Sequence, residues 1–327
     1  MVQAVRVAKT GGPEVLSFEE VERPTPGAGE LLIKVSATGV NYIETYQREG
    51  IYEMDLPYTP GSEGAGEVVE VGEGVEDFST GDYIATAVGV GLYAEYAVVP
   101  QAKAVPVNVT LVEARVAAAA MLQGMTAHYL THSTFPLKES HTMLIHAAAG
   151  GVGLLVCQMA KMLGARVIGT AGSEEKAKLA RAAGADEVIL YREEDFAEEV
   201  RRITDGAGVD VVYDSVGKDT FEGSLDCLKV RGTLVLFGAS SGPVPPVDLQ
   251  VLNRKGGLYV TRPALVQYTQ GREELLWRAE SVLSWVGNGN LDIRIGGAYK
   301  LEDARQAHED LQGRKTTGKL ILIPDAG

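Results

Sequence analysis

The pattern of apolar positions along this 327-residue chain changes character partway through. Up to roughly residue 110 it consists of short apolar or alternating runs of strand length, at 4–8, 31–38, 66–71, 83–86 and 93–99. Glycine- and proline-rich segments separate them, including Thr10-Gly11-Gly12-Pro13, Pro24-Thr25-Pro26-Gly27 and Gly72-Glu73-Gly74. That rhythm predicts a compact, barrel-like β domain. Residues 112–122 and 124–132 then read as helices. From residue 140, buried-type strands (143–146, 166–170, 187–189, 209–213, 233–237, 258–261) alternate with helices (174–183, 195–204 and 219–227 among them). Six strands alternating with helices predict a doubly wound parallel sheet. Beyond it lie a helix over 272–286, with apolar Leu275, Leu276, Ala279, Val282 and Leu283, and a strand over 319–323. The sheet is already complete before this tail, so the tail is expected to return to the β domain.

The first strand of the second region runs directly into His146-Ala147-Ala148-Ala149-Gly150-Gly151-Val152-Gly153 and then an apolar helix. Ala148, Gly150 and Gly153 fall on the G-x-G-x-x-G spacing, with Ala in place of the first Gly. The first small residue makes the tight turn, the second admits a pyrophosphate against the backbone, and the third lets helix pack on strand. The helix N-terminus then presents unpaired N–H groups and a positive dipole end to phosphate. Any tight strand-to-helix turn can collect three small residues, so the end of the second strand decides the reading.

That strand ends in Ala171-Gly172-Ser173-Glu174-Glu175-Lys176, without the carboxylate that an NAD site uses to hold ribose hydroxyls. Ser173 and Lys176 lie just beyond, and Tyr191-Arg192 come after the third strand. A hydroxyl and a cation without a carboxylate suit a ribose 2′-phosphate, which points to NADP rather than NAD. The plainer alternative makes Ser173 a helix cap, Glu174 and Glu175 favourable first-turn residues and Lys176 a solvated side chain.

Composition narrows the classes. A net charge of −14 argues against a general affinity for nucleic acid, which needs a basic footprint. Apolar content of 45 % is ordinary for a globular protein. Cys157 and Cys227, the two cysteines, sit in apolar helical contexts and read as small buried hydrophobes. The N-terminal segment shows no secretory signal, so a soluble, cytoplasmic protein is expected. Residues 140–160 carry no Asp, Glu, Lys or Arg and are long enough to span a bilayer. Gly150, Gly151 and Gly153 interrupt them, so a buried strand and helix are expected instead.

Five stretches stand out: Gly39-Val40-Asn41-Tyr42, Pro60-Gly61-Ser62-Glu63-Gly64-Ala65-Gly66, the glycine turn at 146–153, Val212-Tyr213-Asp214-Ser215-Val216-Gly217 and Leu258-Tyr259-Val260-Thr261-Arg262-Pro263. With them the chain resembles the medium-chain dehydrogenase/reductase family from end to end, and most closely its zinc-free NADPH:quinone oxidoreductase, zeta-crystallin-like branch. The resemblance implies an α/β protein with a GroES-like β-barrel catalytic domain (1–124) and a doubly wound Rossmann NADP-binding domain (125–262). A returning segment (263–327) would complete the catalytic domain. It also implies direct hydride or electron transfer from NADPH to a small quinone.

The zinc alcohol dehydrogenases of this superfamily carry Cys where this chain has Asn41, and His where it has Ser62, and their four-cysteine lobe is absent here. A catalytic zinc needs three Cys, His or carboxylate ligands. Among the five histidines only His128 and His132 have helical ligand spacing, with no third partner in view, so no zinc is expected. Without a Lewis acid, alcohol oxidation loses its support for an alkoxide. A quinone or activated alkene delocalises the charge itself, and the protein need only hold the partners close, give the oxygen a hydrogen bond and exclude water.

By the same resemblance Asn41, Tyr42, Ile43, Thr45 and Tyr46 lie beside the nicotinamide half of the cofactor, and Tyr46 and Tyr52 line the acceptor pocket. Asn41, Tyr46 and Tyr52 are the candidate catalytic residues; the plainer alternative makes the tyrosines half-buried loop aromatics. Thr126 and Tyr129 are expected at the domain cleft, although on sequence alone they read as helix-packing residues. Gly150, Gly151 and Val152 should hold the pyrophosphate, and Gly172, Ser173, Lys176 and Tyr191 the 2′-phosphate, with Arg314 reaching in from the tail. Ser215, Phe237, Gly238, Ala239 and Ser240 end strands four and five on the cofactor side. Thr261 and Arg262 should frame the nicotinamide. A homodimer joined at the sheet edge near residues 258–261 is expected, because an uncovered apolar edge invites association. Two other readings stay open: an NADPH-dependent alkenal or enoyl reductase, and a non-catalytic NADPH-binding protein of crystallin or RNA-binding type.

Overall fold

The apolar runs of the first region form strands whose side chains are largely buried. In the computed structural model, which describes residues 1–87, 89 and 91–324, β1 (Val2–Val7) pairs antiparallel with β2 (Leu16–Val21). The long β3 (Glu30–Val40) is followed at once by a short helix, α1 (Tyr42–Arg48), and then by β4 (Gly64–Val71), β5 (Tyr83–Thr86), β6 (Tyr96–Pro100) and β7 (Val105–Pro106). Strand β3 takes both β4 and β6 as antiparallel neighbours, so Leu31, Ile33 and Val35 meet Val68, Ile84, Leu92 and Val99 in one buried cluster.

Helix α2 (Ala114–Tyr129) leads to the parallel region. There β8 (Thr142–Ile145), α3 (Gly151–Met162), β9 (Arg166–Ala171), α4 (Glu174–Ala182), β10 (Glu187–Leu190), α5 (Phe196–Ile203), β11 (Val209–Asp214), α6 (Phe221–Cys227), β12 (Leu228–Leu236), α7 (Gln250–Arg254) and β13 (Tyr259–Thr261) alternate. The six strands are all parallel, in the order β10-β9-β8-β11-β12-β13, which is the doubly wound topology. The tail consists of α8 (Arg272–Gly287), β14 (Ile295–Lys300), α9 (Ala304–Gln312) and β15 (Lys319–Ile323). It rejoins the β region: β15 pairs antiparallel with β3, setting Leu320 opposite Val40 and Ile321 opposite Gly39.

The chain thus forms two units, Met1–Met125 with Thr269–Gly327, and Thr126–Tyr268. The first division falls inside α2. The second falls six residues later than the expected 262/263 boundary, because Tyr268 stacks on Tyr129 at 4.4 Å and its hydroxyl accepts a bond from Thr134. The last three positions of the expected returning segment lie outside the described residues.

Residues 112–132 were expected to give two helices meeting near Gly124, and form one helix with a terminal π turn over Leu130–Thr134. A Cβ at Gly124 would stand 2.6 Å from a methyl of Val282 on α8, so this glycine marks close helix packing rather than a break. Elements that the pattern did not announce, α1 and α9 among them, bury small or polar residues; α9 turns Ala304, Ala307 and His308 inward. Among the described residues no helix is long and apolar enough to cross a membrane, and the uncharged 140–160 stretch is β8, a turn and α3. Cys157 and Cys227 are buried free thiols, both pushed up to about 12 chiefly by that burial.

Candidate active site

The candidate site of the doubly wound unit is built from backbone. No side chain caps α3 at Gly150. The N–H groups of Gly151 and Val152, at the start of the helix, have no carbonyl one turn earlier to receive them, which makes a ready anion site. Ala147 takes a left-handed φ of 52° to make the turn. A Cβ on Gly153 would come within 2.4 Å of the Ala147 carbonyl oxygen, so the third fingerprint position has to be glycine. Ala148 replaces the usual first glycine because β9 makes room for it: a Cβ on Gly169 would lie 2.7 Å from that of Ala148.

At the C-terminal end of β9, Ser173 caps α4 and accepts the Lys176 N–H at 3.4 Å. The capping alternative is therefore realised, and the same end carries more. A Cβ at Gly172 would meet the Tyr191 hydroxyl at 2.7 Å and the Arg192 Nε at 3.4 Å. A phenol and a guanidinium converge on a bare glycine, beside the Ser173 cap. That donor set fits a phosphate better than a neutral hydroxyl pair.

The ends of β11 and β12 are tied to each other. Buried Asp214 accepts the N–H groups of Val216 and Gly217 and the hydroxyls of Thr220 and Ser224, while its carbonyl accepts the N–H of Phe237. Ser240 N–H donates to the Ser215 carbonyl at 3.1 Å, and a Cβ at Gly238 would strike that oxygen at 2.5 Å. Ser215, Phe237, Gly238, Ala239 and Ser240 therefore form one rim at the carboxyl ends of the strands. Thr261 ends β13 in register with Val235 of β12, with Arg262 next in the chain. Thr126 and Tyr129 are both buried on α2.

The β unit supplies a different kind of site, made of side chains. Glu44 accepts the Asn41 N–H at 2.7 Å, which starts α1, and the Ser62 N–H at 2.9 Å. Burial pushes its carboxyl up to about 7, against the pull of the Lys319 ammonium and the Ser62 bonds. Asn41 Nδ2 donates to Glu63 Oε1 at 2.7 Å. Lys319, opening β15, donates to Asn41 Oδ1 at 2.6 Å and forms an ion pair with Glu63 Oε1. Glu63 Oε2 receives the Leu122 N–H at 2.7 Å. Glu44, Glu63 and Lys319 were not among the expected site residues. A lone acid among small residues at 60–66 and a lone cation heading the apolar run 319–323 were the available signals.

Along α1, Thr45 is buried with its hydroxyl on the Tyr42 carbonyl, Ile43 is half-buried, and Tyr42 donates to the Leu311 carbonyl at 3.1 Å. The Tyr46 and Tyr52 rings meet edge to face at 5.6 Å, so the two candidate tyrosines do come together. Arg314 lies exposed after α9 with φ 55°, and its charge opposes the burial that raises the Tyr42 hydroxyl.

Where zinc dehydrogenases place Cys and His, this chain has an amide and a hydroxyl beside a lysine ammonium. Amide, hydroxyl and ammonium are not zinc ligands, and the carboxylates beside them, Glu63 and Glu44, are engaged by Asn41, Lys319 and backbone N–H groups, so the set does not fit zinc. His128 and His132 stack on each other at 4.3 Å. Among the described residues no group of three or more His, Cys, Asp or Glu is arranged to hold a metal ion.

A β unit rejoined by its own tail, with a doubly wound unit inserted, defines the medium-chain dehydrogenase/reductase architecture. Residues 27–109 match the alcohol dehydrogenase GroES-like domain and residues 151–274 the zinc-binding dehydrogenase domain. The chain is 46 % identical to the quinone oxidoreductase of Pseudomonas aeruginosa, over 99 % of this chain and all of that one. It superposes on the Escherichia coli quinone oxidoreductase complexed with NADPH with a TM-score of 0.96, at 44 % identity, covering 98 % of this chain and all of that one. It is also 41 % identical to a 2-haloacrylate reductase from a Burkholderia species, over the full length of both. The chain belongs to the quinone oxidoreductase family of medium-chain dehydrogenases/reductases.

Proposed function

We propose that this protein is an NADPH-dependent, zinc-independent quinone oxidoreductase. The observation that carries the cofactor is the pair Tyr191 and Arg192 around Gly172, beside the Ser173 cap, where strand β9 itself ends without a carboxylate. The acceptor class is supported by the relatives, which are named for quinones.

When bound, NADPH supplies a hydride, and a quinone that takes it with one proton leaves as the hydroquinone. The N–H groups of Gly151 and Val152 hold the pyrophosphate on the α3 dipole. Ser173, Lys176, Tyr191 and Arg192 bind the 2′-phosphate. The rim of Ser215 and residues 237–240, with Thr261 and Arg262, orients the rest of the cofactor. The roles of Thr126, Tyr129, Arg314 and the Asn41–Tyr46 stretch toward the cofactor rest on the family resemblance. Tyr46 and Tyr52 offer two flat rings and two hydroxyls to an aromatic acceptor. The proton reaches the product from one of those hydroxyls or from water.

The same resemblance carries a cytoplasmic homodimer. Tyr259 and Val260 on the edge strand β13 are 60 % and 39 % exposed, which supports pairing along that edge. A monomer at micromolar concentration in sedimentation would remove the dimer from this reading.

The full-length likeness to a 2-haloacrylate reductase favours one second reading, reduction of an activated alkene conjugated to a carbonyl. Anaerobic oxidation of NADPH and NADH, measured in parallel with 1,4-benzoquinone, 2-chloroacrylate and an enal, separates the two. Preference for NADPH with the quinone is expected. Turnover of the alkenes with a silent quinone would move the protein to the second reading, and preference for NADH would overturn the phosphate pocket.

A further inference from the structure

Asn41 carries two atoms of nearly equal size and opposite chemistry, and its neighbours decide which way the amide faces. An ammonium can only donate and an ionised carboxylate can only accept. Lys319 Nζ lies 2.6 Å from Oδ1, and Glu63 Oε1 lies 2.7 Å from Nδ2. A flipped amide would turn its NH₂ toward the ammonium and its oxygen toward the carboxylate. All three groups are buried: Lys319 is 1 %, Glu63 0 % and Asn41 5 % exposed, so water cannot relieve such a mismatch. The remaining ammonium protons face the Glu63 carboxylate and, at 3.4 Å, the Val40 carbonyl. Gln123 adds a further donor on Oδ1 at 3.4 Å. The backbone is shaped around the pair, since a Cβ on Gly39 would lie 2.2 Å from Glu63 Oε1 and 2.6 Å from Lys319 Cε.

We infer that Lys319 is a positioning residue for the reaction: with Glu63 it locks the Asn41 amide so that its second Nδ2–H is the group offered to the acceptor's carbonyl oxygen. The inference rests on the proposed reaction and narrows its substrates. With Oδ1 taken up by Lys319, Asn41 offers the acceptor only a donor, so the site selects acceptors with a carbonyl oxygen where negative charge develops as hydride arrives. The ammonium also polarises the amide through Oδ1, which strengthens the N–H as a donor. An internal cation thereby supports the charge that a metal supports in the zinc dehydrogenases.

The test is a double-mutant cycle on the full-length protein, with 1,4-benzoquinone and NADPH. Lys319→Gln removes the donor-only partner of Oδ1, leaving Glu63 alone to fix the amide, and removes the polarising charge. Its kcat is expected to fall about tenfold to a hundredfold, below the loss for deleting a donor outright, while the NADPH KM stays within about twofold. In an Asn41→Ala background the same substitution should lower kcat less than about twofold, because the lysine acts through the amide. Additive losses in the two backgrounds, or unchanged kcat in folded Lys319→Gln, would overturn the inference. If Lys319→Gln does not fold, the paired Glu63→Gln/Lys319→Gln variant, which buries no charge at these positions, takes its place in the cycle. Failure of both to fold would make the pair structural and equally overturn it. A wild-type enzyme inactive with quinones breaks the proposed function instead, and the cycle is then read with the enal, whose carbonyl poses the same demand.

Discussion

Under the proposed function, the two units hold their partners with different materials. In the doubly wound unit the determinants are backbone groups and missing side chains: bare N–H groups at the start of α3, a glycine under Ala147, a glycine under Tyr191. They come from neighbouring positions or from strand ends that the sheet order brings together. In the β unit the determinants are charged side chains from distant parts of the chain, with Lys319 reaching Asn41 across 278 positions. A backbone-built site tolerates changes to its side chains and fails when a Cβ is added. A side-chain-built site fails when one partner is removed, because the others are left buried and unpaired.

The largest effect should come from Gly153→Val. Its branched side chain has no space against the Ala147 carbonyl, and a loss of about 4 kcal/mol or more is expected, seen as a collapsed melting temperature or insoluble protein. A soluble variant with unchanged NADPH binding would break the backbone half of the comparison. Gly172→Asp should come next. It displaces the Tyr191 hydroxyl and sets a carboxylate against the 2′-phosphate, so the NADPH-to-NADH ratio of kcat/KM should fall about a hundredfold. A ratio unchanged within about threefold would remove the phosphate pocket from this position.

Smaller effects test the side-chain half. His308 is buried between the Arg48 guanidinium at 2.9 Å and the Tyr93 hydroxyl at 3.2 Å. Burial first, and the Arg48 charge second, push it down to about 3. Its stabilising contribution is therefore complete above its unfolded value of 6.5 and is lost as pH falls from there toward 3. Glu44 has the opposite sign. Raised from 4.5 to about 7, it binds a proton more tightly in the folded chain, so stability drains as pH rises through that window. Between pH 4.5 and 6.5 the two slopes offset each other. His308→Gln should unmask Glu44: the stability gap between wild type and variant should widen by about 1.4 kcal/mol per pH unit as pH rises toward 6.5. Parallel denaturation curves across that range would contradict the buried neutral imidazole. Tyr52→Phe should do least. Its ring packs edge-on against Tyr46 while the residue is 43 % exposed, so kcat/KM with benzoquinone should change by less than about threefold. A larger loss would assign the Tyr52 hydroxyl the proton transfer.

This division also explains what could be read from the chain. The glycine turn at 150–153, the carboxylate-free end of β9 and the six parallel strands are local patterns, and each carries its own spacing rule. Even the alanine in place of the first fingerprint glycine has its answer in one residue, Gly169 on the adjoining strand. Helix α1 escaped notice because its start depends on Glu44 closing back on Asn41 rather than on an apolar stripe. Gly124 misled because a glycine within a helix reads as a break, and its role, accommodating Val282, is tertiary. Lys319 and Glu63 were invisible as a pair for the same reason. Each alone is a charge beside an apolar run, and only the pairing of β15 with β3 joins them at Asn41.

The most direct measurement is single-turnover, anaerobic oxidation of NADPH by 1,4-benzoquinone after exhaustive dialysis of the enzyme against a metal chelator. The account predicts an undiminished rate, slowed by deuterium at the transferred position of NADPH. A rate abolished by the chelator and restored by zinc, or one indifferent to the deuterium because no hydride moves in the step, would contradict it.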